Sequence, residues 1–190
     1  MTAQVPDEFR YEGEKYSLVG MDGEGLFTAE EFGLKLIAAS TACWRGHVMK
    51  YDCIDGILVL NGMDIRTQEE PPAINNIKAR SLESESGYSM FSHSYENLNL
   101  KTRFTGSILL AKDFIESMYV HMGFQRPMAF RTVLEIQVQD GDIISVSDLS
   151  EKMEELRQRD SSKGARPETD SDEDVRRWIE DTFSLDYDIE

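Results

Sequence analysis

The chain has 190 residues, 40% of them hydrophobic and 9% aromatic, which is enough for one real core and argues against global disorder. A formal charge of −16 opposes binding to nucleic acid, whose phosphates need Lys and Arg, and to an anionic membrane surface. The apolar runs at 57–60 and 108–111 are too short to span a bilayer, and residues 1–8 lack the basic and apolar regions of a secretory signal, so a cytoplasmic protein is expected.

The first strand is expected at 16–19, followed by a glycine-rich turn through Met21-Asp22-Gly23-Glu24-Gly25. That turn places two acidic groups among glycines, but it has neither the spacing of a calcium loop nor that of a phosphate loop. Next comes a short helix held by local chemistry. Thr28 and Glu31 form a capping box, Phe27 and Phe32 sit where a hydrophobic staple would, and Gly33 can end the turn.

Residues 43–53 read as one long strand. Alternation then puts Cys43, Arg45, His47, Met49, Tyr51 and Cys53 on one face. Arg45, His47 and Tyr51, joined by His121, are the candidate ligand-binding residues, able to hydrogen-bond an anionic or polar ligand in a barrel mouth. The competing reading is a satisfied polar network, and a bulge at Gly46 would dissolve the set. On such a strand Cys43 and His47 would stand about 13 Å apart, at about 3.3 Å per residue, too far for a nucleophile and its base. Cys43 and Cys53 would be about 33 Å apart by the same rise, so two free thiols are expected instead of a disulfide.

Asp55-Gly56 between two apolar runs, and again Asp140-Gly141, supply the positive φ values of a tight type I′ hairpin. The two are read as common turn chemistry, with little outside the turn to argue duplication. Between them, residues 66–99 read as a long loop broken by Pro71-Pro72, with a strand or two embedded, one of them around 88–91. Phe104, Gly106, Ile108 and Leu110 alternate as a strand, and so do Leu134, Ile136 and Val138, which feed the second hairpin. A helix is expected from Asp148, with Glu151 completing its cap and Leu149, Met153 and Leu156 along one side.

Residues 161–170 read as a flexible linker, polar and carrying Gly164 and Pro167, which divides a β-rich domain at 1–160 from an acidic tail at 171–190. Residues 168–190 hold ten acidic side chains against Arg176 and Arg177, so they carry −8 of the −16. Ser171 is a good N-cap, and Val175, Trp178, Ile179 and Phe183 then form a Trp-centred apolar stripe. These four are the candidate partner-binding residues. The stripe can fold back on its own domain, dock on a second copy and so make a homo-oligomer, or enter a groove on a basic protein partner.

The expected fold is mainly β (α+β): an antiparallel β-barrel or sandwich with one or two short helices and a C-terminal amphipathic segment. The barrel is slightly favoured and the sandwich stays open. The segments Ser40-Thr41-Ala42-Cys43-Trp44-Arg45-Gly46 and Tyr119-Val120-His121-Met122-Gly123-Phe124 resemble stretches of a family of small bacterial proteins without an assigned activity. That resemblance covers about 10–158 and implies a bacterial origin, with no site residue to transfer. No nucleophile elbow, zinc motif or P-loop is present, so neither a metal nor another cofactor is expected. The chain is read as a non-enzymatic, macromolecule-binding protein, immunity- or antitoxin-like in composition, with a small-molecule-binding barrel as the alternative.

Overall fold

The computed structural model describes residues 2–82, 89–159, 169 and 171–185. Among these residues nine strands follow in chain order: β1 (Glu8–Tyr11), β2 (Glu14–Glu24), β3 (His47–Ile54), β4 (Ile57–Ile65), β5 (Arg80–Ser81), β6 (His93–Lys101), β7 (Thr105–Phe114), β8 (Phe130–Gln139) and β9 (Asp142–Asp148). Helix α1 (Ser150–Arg159) follows the last strand, and α2 (Asp172–Phe183) lies in the tail.

Seven of the strands close a ring in the order β3-β1-β2-β7-β8-β9-β4, with β4 returning to β3, while β6 and β5 branch from the outer edge of β4. The architecture is therefore mainly β and a barrel. Its pairs are antiparallel except β1 with β3, which run parallel.

Both Asp-Gly turns form as expected. Asp55 and Gly56 have φ of 51° and 77°, and Asp140 and Gly141 have 48° and 80°, the left-handed values a I′ turn demands. A third turn of the same kind, Glu12-Gly13, joins β1 to β2. The two Asp-Gly tips also lock the ring. Leu58 N–H donates to the Gly141 carbonyl at 2.8 Å, and Ile143 N–H donates to the Gly56 carbonyl at 2.7 Å. Apart from these bonds, β4 and β9 meet at a single register pair, Ile57 with Asp142.

The interior is filled by one cluster that includes Phe9, Tyr51, Leu58, Leu60, Ile108 and Ile136, each at most 1% exposed. A second cluster lies on the outer face, where Val19, Leu109, Ala111 and Val133 meet Met153 and Leu156 of α1 and Leu149 just before it. This explains the unbroken apolar run at 108–111, since β7 is covered on both faces. The neighbours Leu18 and Val19 face opposite sides of β2 and so enter different clusters, with a bulge in the register at this point. The expected stripe of α1 docks as a unit, and Asp148 accepts from Ser150 N–H at its start.

Three expectations are corrected. The glycine-rich segment at 21–25 is no turn over most of its length: β2 runs through to Glu24, with Gly23 facing Gly106 where the two backbones pass closely. The strand expected around 88–91 lies later, as β6, and Tyr88 itself falls outside the described residues. Asn97 and Asn99 in β6 have left-handed φ of 60° and 50°, and that irregularity hides the strand from an alternation test. The strand expected over 43–53 begins only at His47. Gly46, at φ 73°, closes a turn there, and a hypothetical Cβ would lie 2.1 Å from the Ile37 carbonyl oxygen.

Candidate functional site

The turn at 40–46 brings the most distinctive polar cluster together. Arg45 clasps Asp7 with both guanidinium nitrogens, at 3.0 and 3.2 Å, and also donates to the Val5 carbonyl at 3.0 Å. Asp7 in turn accepts from the Met49 N–H at 2.8 Å, so a single carboxylate joins the approach to β1, the turn and β3. The guanidinium lies 5.6 Å from the Phe124 ring centre, a cation–π distance. His47 Nδ1–H donates to the Arg45 carbonyl at 3.1 Å, and burial holds the imidazole pKa below the usual histidine value.

None of the four candidate ligand-binding residues lines either of the two clefts described below. Arg45 is committed to Asp7 and His47 to the turn. Tyr51 points into the barrel, stacked on Phe9 with ring centres 4.8 Å apart and its hydroxyl donating to the Phe27 carbonyl at 3.4 Å. Its neighbour on β3, Met49, is also fully buried. His121 is exposed and packs edge-on against Tyr119 at 4.9 Å. Starting the strand at His47 removes Arg45 from the strand face, while on β3 itself the alternation holds and turns Met49 and Tyr51 into the packed core; the irregularity at this point is the extra residue Asn61 on β4.

Two shallow clefts lie elsewhere. One of about 470 Å³ is lined by residues that include Arg66, Glu69, Ser92 and His93. There Ser92 Oγ stands 2.9 Å from His93 Nδ1, which at first resembles a nucleophile with its base. Ser92 is only 2% exposed, however, and its hydroxyl already serves the Ile65 and Thr67 carbonyls and the Thr67 N–H. It is a knot between β4, β6 and the chain after β4, not a reachable nucleophile. The other cleft, about 430 Å³, lies beside the start of α1. Among the described residues no group of three or more His, Cys, Asp or Glu side chains could hold a metal ion. Both cysteines are unpaired. Burial raises the Cys43 thiol and pushes Cys53 up to about 12.

The C-terminal end of the tail helix meets the chain's own domain. Phe183 stacks on Trp44 with ring centres 5.7 Å apart. Phe124 N–H donates to the Thr182 carbonyl at 2.8 Å, and Met21 N–H donates to the Leu185 carbonyl at 2.7 Å. Thr182 itself is buried against Gly123, where any Cβ would lie 2.0 Å from the Thr182 oxygen. Val175, Trp178 and Ile179 remain half-buried. Ser171 caps α2 as expected, its hydroxyl accepting from Asp174 N–H. Of the expected linker, residues 161–168 and 170 lie outside the described residues.

Sequence reading missed the exposed character of β9. Ile144 is 60% exposed and Val146 36%, beside the locked hairpin tips. Alternation alone would have placed Val146 inside, since it sits opposite the fully buried Ile136. Among the described residues no helix is long and apolar enough to cross a membrane. Comparison of the chain with protein-family models, with curated proteins and with solved structures finds no match.

Proposed function

We propose that this chain is a non-enzymatic binding domain that engages a basic protein through its acidic exterior. The observation that carries the reading is the filled barrel: side chains from strands all round the ring, among them Phe9 of β1, Leu60 of β4, Ile108 of β7 and Ile136 of β8, occupy the interior at no more than 1% exposure. A barrel of this size holds either packed side chains or one small ligand. Here packing has taken the space, so recognition is assigned to the outside.

The outside carries a net −16, which draws a cationic surface and raises the rate of encounter with it. Masking of a basic toxin by an immunity-type protein is the kind of role this suits. Two unpaired thiols fit a reducing, cytoplasmic setting.

The test is affinity capture from cell lysate at about 50 mM and about 500 mM salt, on either side of the change in screening length. An unrelated acidic protein of equal net charge serves as control. The reading expects a Lys- and Arg-rich protein enriched over the control at low salt and released at high salt. Equal recovery on both baits at low salt would refute it.

A further inference from the structure

We propose that the open edge of β9 takes up an extended, basic segment of a partner protein as an added strand. The proposal rests on the reading of the chain as an acidic binding domain and names the surface that does the binding.

A strand has two hydrogen-bonding edges, and β9 uses one of them along its whole length, against β8 from Asp142 to Asp148. The other edge meets β4 at Asp142 and sends the Ile143 N–H to Gly56. From there β9 leaves β4, because the edge of β4 is taken over by β6 from Val59 onward. Among the described residues, no strand or loop bonds the outer edge of 144–148. Past the bulge at Ile144 the register against β8 is regular, so these residues are held straight and in pleat.

The side chains at this edge match its unfilled hydrogen bonds. Val146 shares a face with Ile136, which lies in the barrel core, yet it is 36% exposed because no strand flanks it. Ile144, at 60%, stands out beside it. Proteins usually blunt such an edge with Lys or Pro, or cover it, and 142–148 contains neither residue. A strand laid alongside would cover both side chains and continue the interior face of the ring. Five residues offer about 17 Å of edge, the span of a short added strand.

Charge selects the occupant. Residues 136–151 contain Asp140, Asp142, Asp148 and Glu151 and no basic residue. Lys101 answers Asp142 from across the hairpin tip, which leaves the strand itself in a negative setting. A second copy of this chain would bring the same acids to the same place, and like charges facing across a pair destabilise it. A segment in which Lys or Arg alternates with apolar residues satisfies both the apolar and the acidic features.

The experiment uses the full chain and two capped nine-residue peptides of alternating Lys and Val, one of them N-methylated at every backbone amide so that neither edge can pair. Binding is followed by fluorescence anisotropy at about 50 mM salt, where surface charges are weakly screened, and the contact is mapped by backbone amide shifts. The proposal expects the plain peptide to bind with shifts gathered at 144–148. It expects affinity to fall about tenfold or more for the N-methylated peptide, whose backbone cannot pair, and likewise for the Ile144→Gln/Val146→Gln variant.

No binding, or equal binding by both peptides with scattered shifts, would overturn it in favour of charge alone. A concentration-dependent dimer of the free protein that the double variant abolishes would overturn it in favour of a second copy. Lysate capture repeated with that variant separates the two claims. A basic protein still captured leaves the binding function standing and removes β9 as its site, whereas loss of capture in the wild type removes the function itself.

Discussion

Replacing Asp7 by Ala should be among the most damaging single changes in the molecule. The Asp7 side chain is 11% exposed, and it accepts two hydrogen bonds from Arg45 and one from the N–H of the buried Met49. Removing one partner of a buried ion pair costs about 3–5 kcal/mol when the survivor stays dry. Arg45 is 30% exposed and keeps the Val5 carbonyl, so water recovers part of that. The stranded Met49 N–H adds about 1–3 kcal/mol, overlapping with the first term. The net expectation is a loss of about 3 kcal/mol, or about 6–12 °C in melting temperature for a chain of this length. Arg45→Ala should cost less, about 1–2 kcal/mol, because Asp7 retains the Met49 N–H and gains access to water. Urea denaturation of both single variants and the double variant gives the coupling, expected at about 1–2 kcal/mol. An Asp7→Ala protein within about 0.5 kcal/mol of wild type, the range of an indifferent surface change, would refute the reasoning.

Three further outcomes follow from the same contacts. Gly123→Ala combines a left-handed φ of 69° with a clash at the Thr182 carbonyl; the variant should release α2, speed proteolysis within the tail and change Trp fluorescence as the Trp44–Phe183 stack opens. Unchanged digestion would mean the helix is held elsewhere. Truncation after Arg159 should lower the melting temperature by several degrees in a thermal scan, at about 2–4 °C per kcal/mol, because it exposes Trp44 and the edge of β2 at Met21. An unaltered melting temperature would show that the tail contributes no stability. His47 has a folded pKa depressed mainly by burial, with Arg45 adding to the effect and Asp7 opposing it. The unfolded chain therefore takes up the proton first, and stability is full above the unfolded value of about 6.5 and declines as pH falls through the window down to the folded pKa. Denaturation from pH 8 to 5 should show this slope in wild type and a flatter one in His47→Gln; equal slopes would contradict the assignment.

What could be read from the sequence was local. The Asp-Gly turns, the alternation of Leu134, Ile136 and Val138, and the stripe of α1 are each specified within about ten residues, and each formed. The 3₁₀ turn at Glu30–Phe32 shows the same locality. Glu31 accepts from Thr28 N–H at 2.7 Å, Phe27 and Phe32 meet at 5.4 Å, and Gly33 ends the turn in the left-handed conformation, but only this half of the expected capping box forms: Ala29 stands at the N-cap and no side chain caps the turn.

Distant pairings were out of reach. The partner of Arg45 lies 38 residues upstream, and nothing in the spacing of 43–53 marks Asp7 as its counterion. Ring closure depends on two hairpin tips 85 residues apart bonding to each other, which no periodicity records. β9 shows the same limit from the other side. Its sequence alternates like a buried strand, and only the divergence of β4 toward β6 leaves Val146 in solvent. The tail stripe was legible as a docking face, and its acceptor was not: Trp44, Gly123 and Met21 come from three separate parts of the chain.

The central claim, that recognition takes place on the acidic exterior at β9, is tested most directly by hydrogen exchange of the intact protein with and without its captured basic partner. The account predicts slowed exchange concentrated at 144–148, where the amides on the outer edge have no partner among the described residues. Protection confined to the Arg45–Tyr51 region and the 119–125 loop, with β9 unchanged, would contradict it.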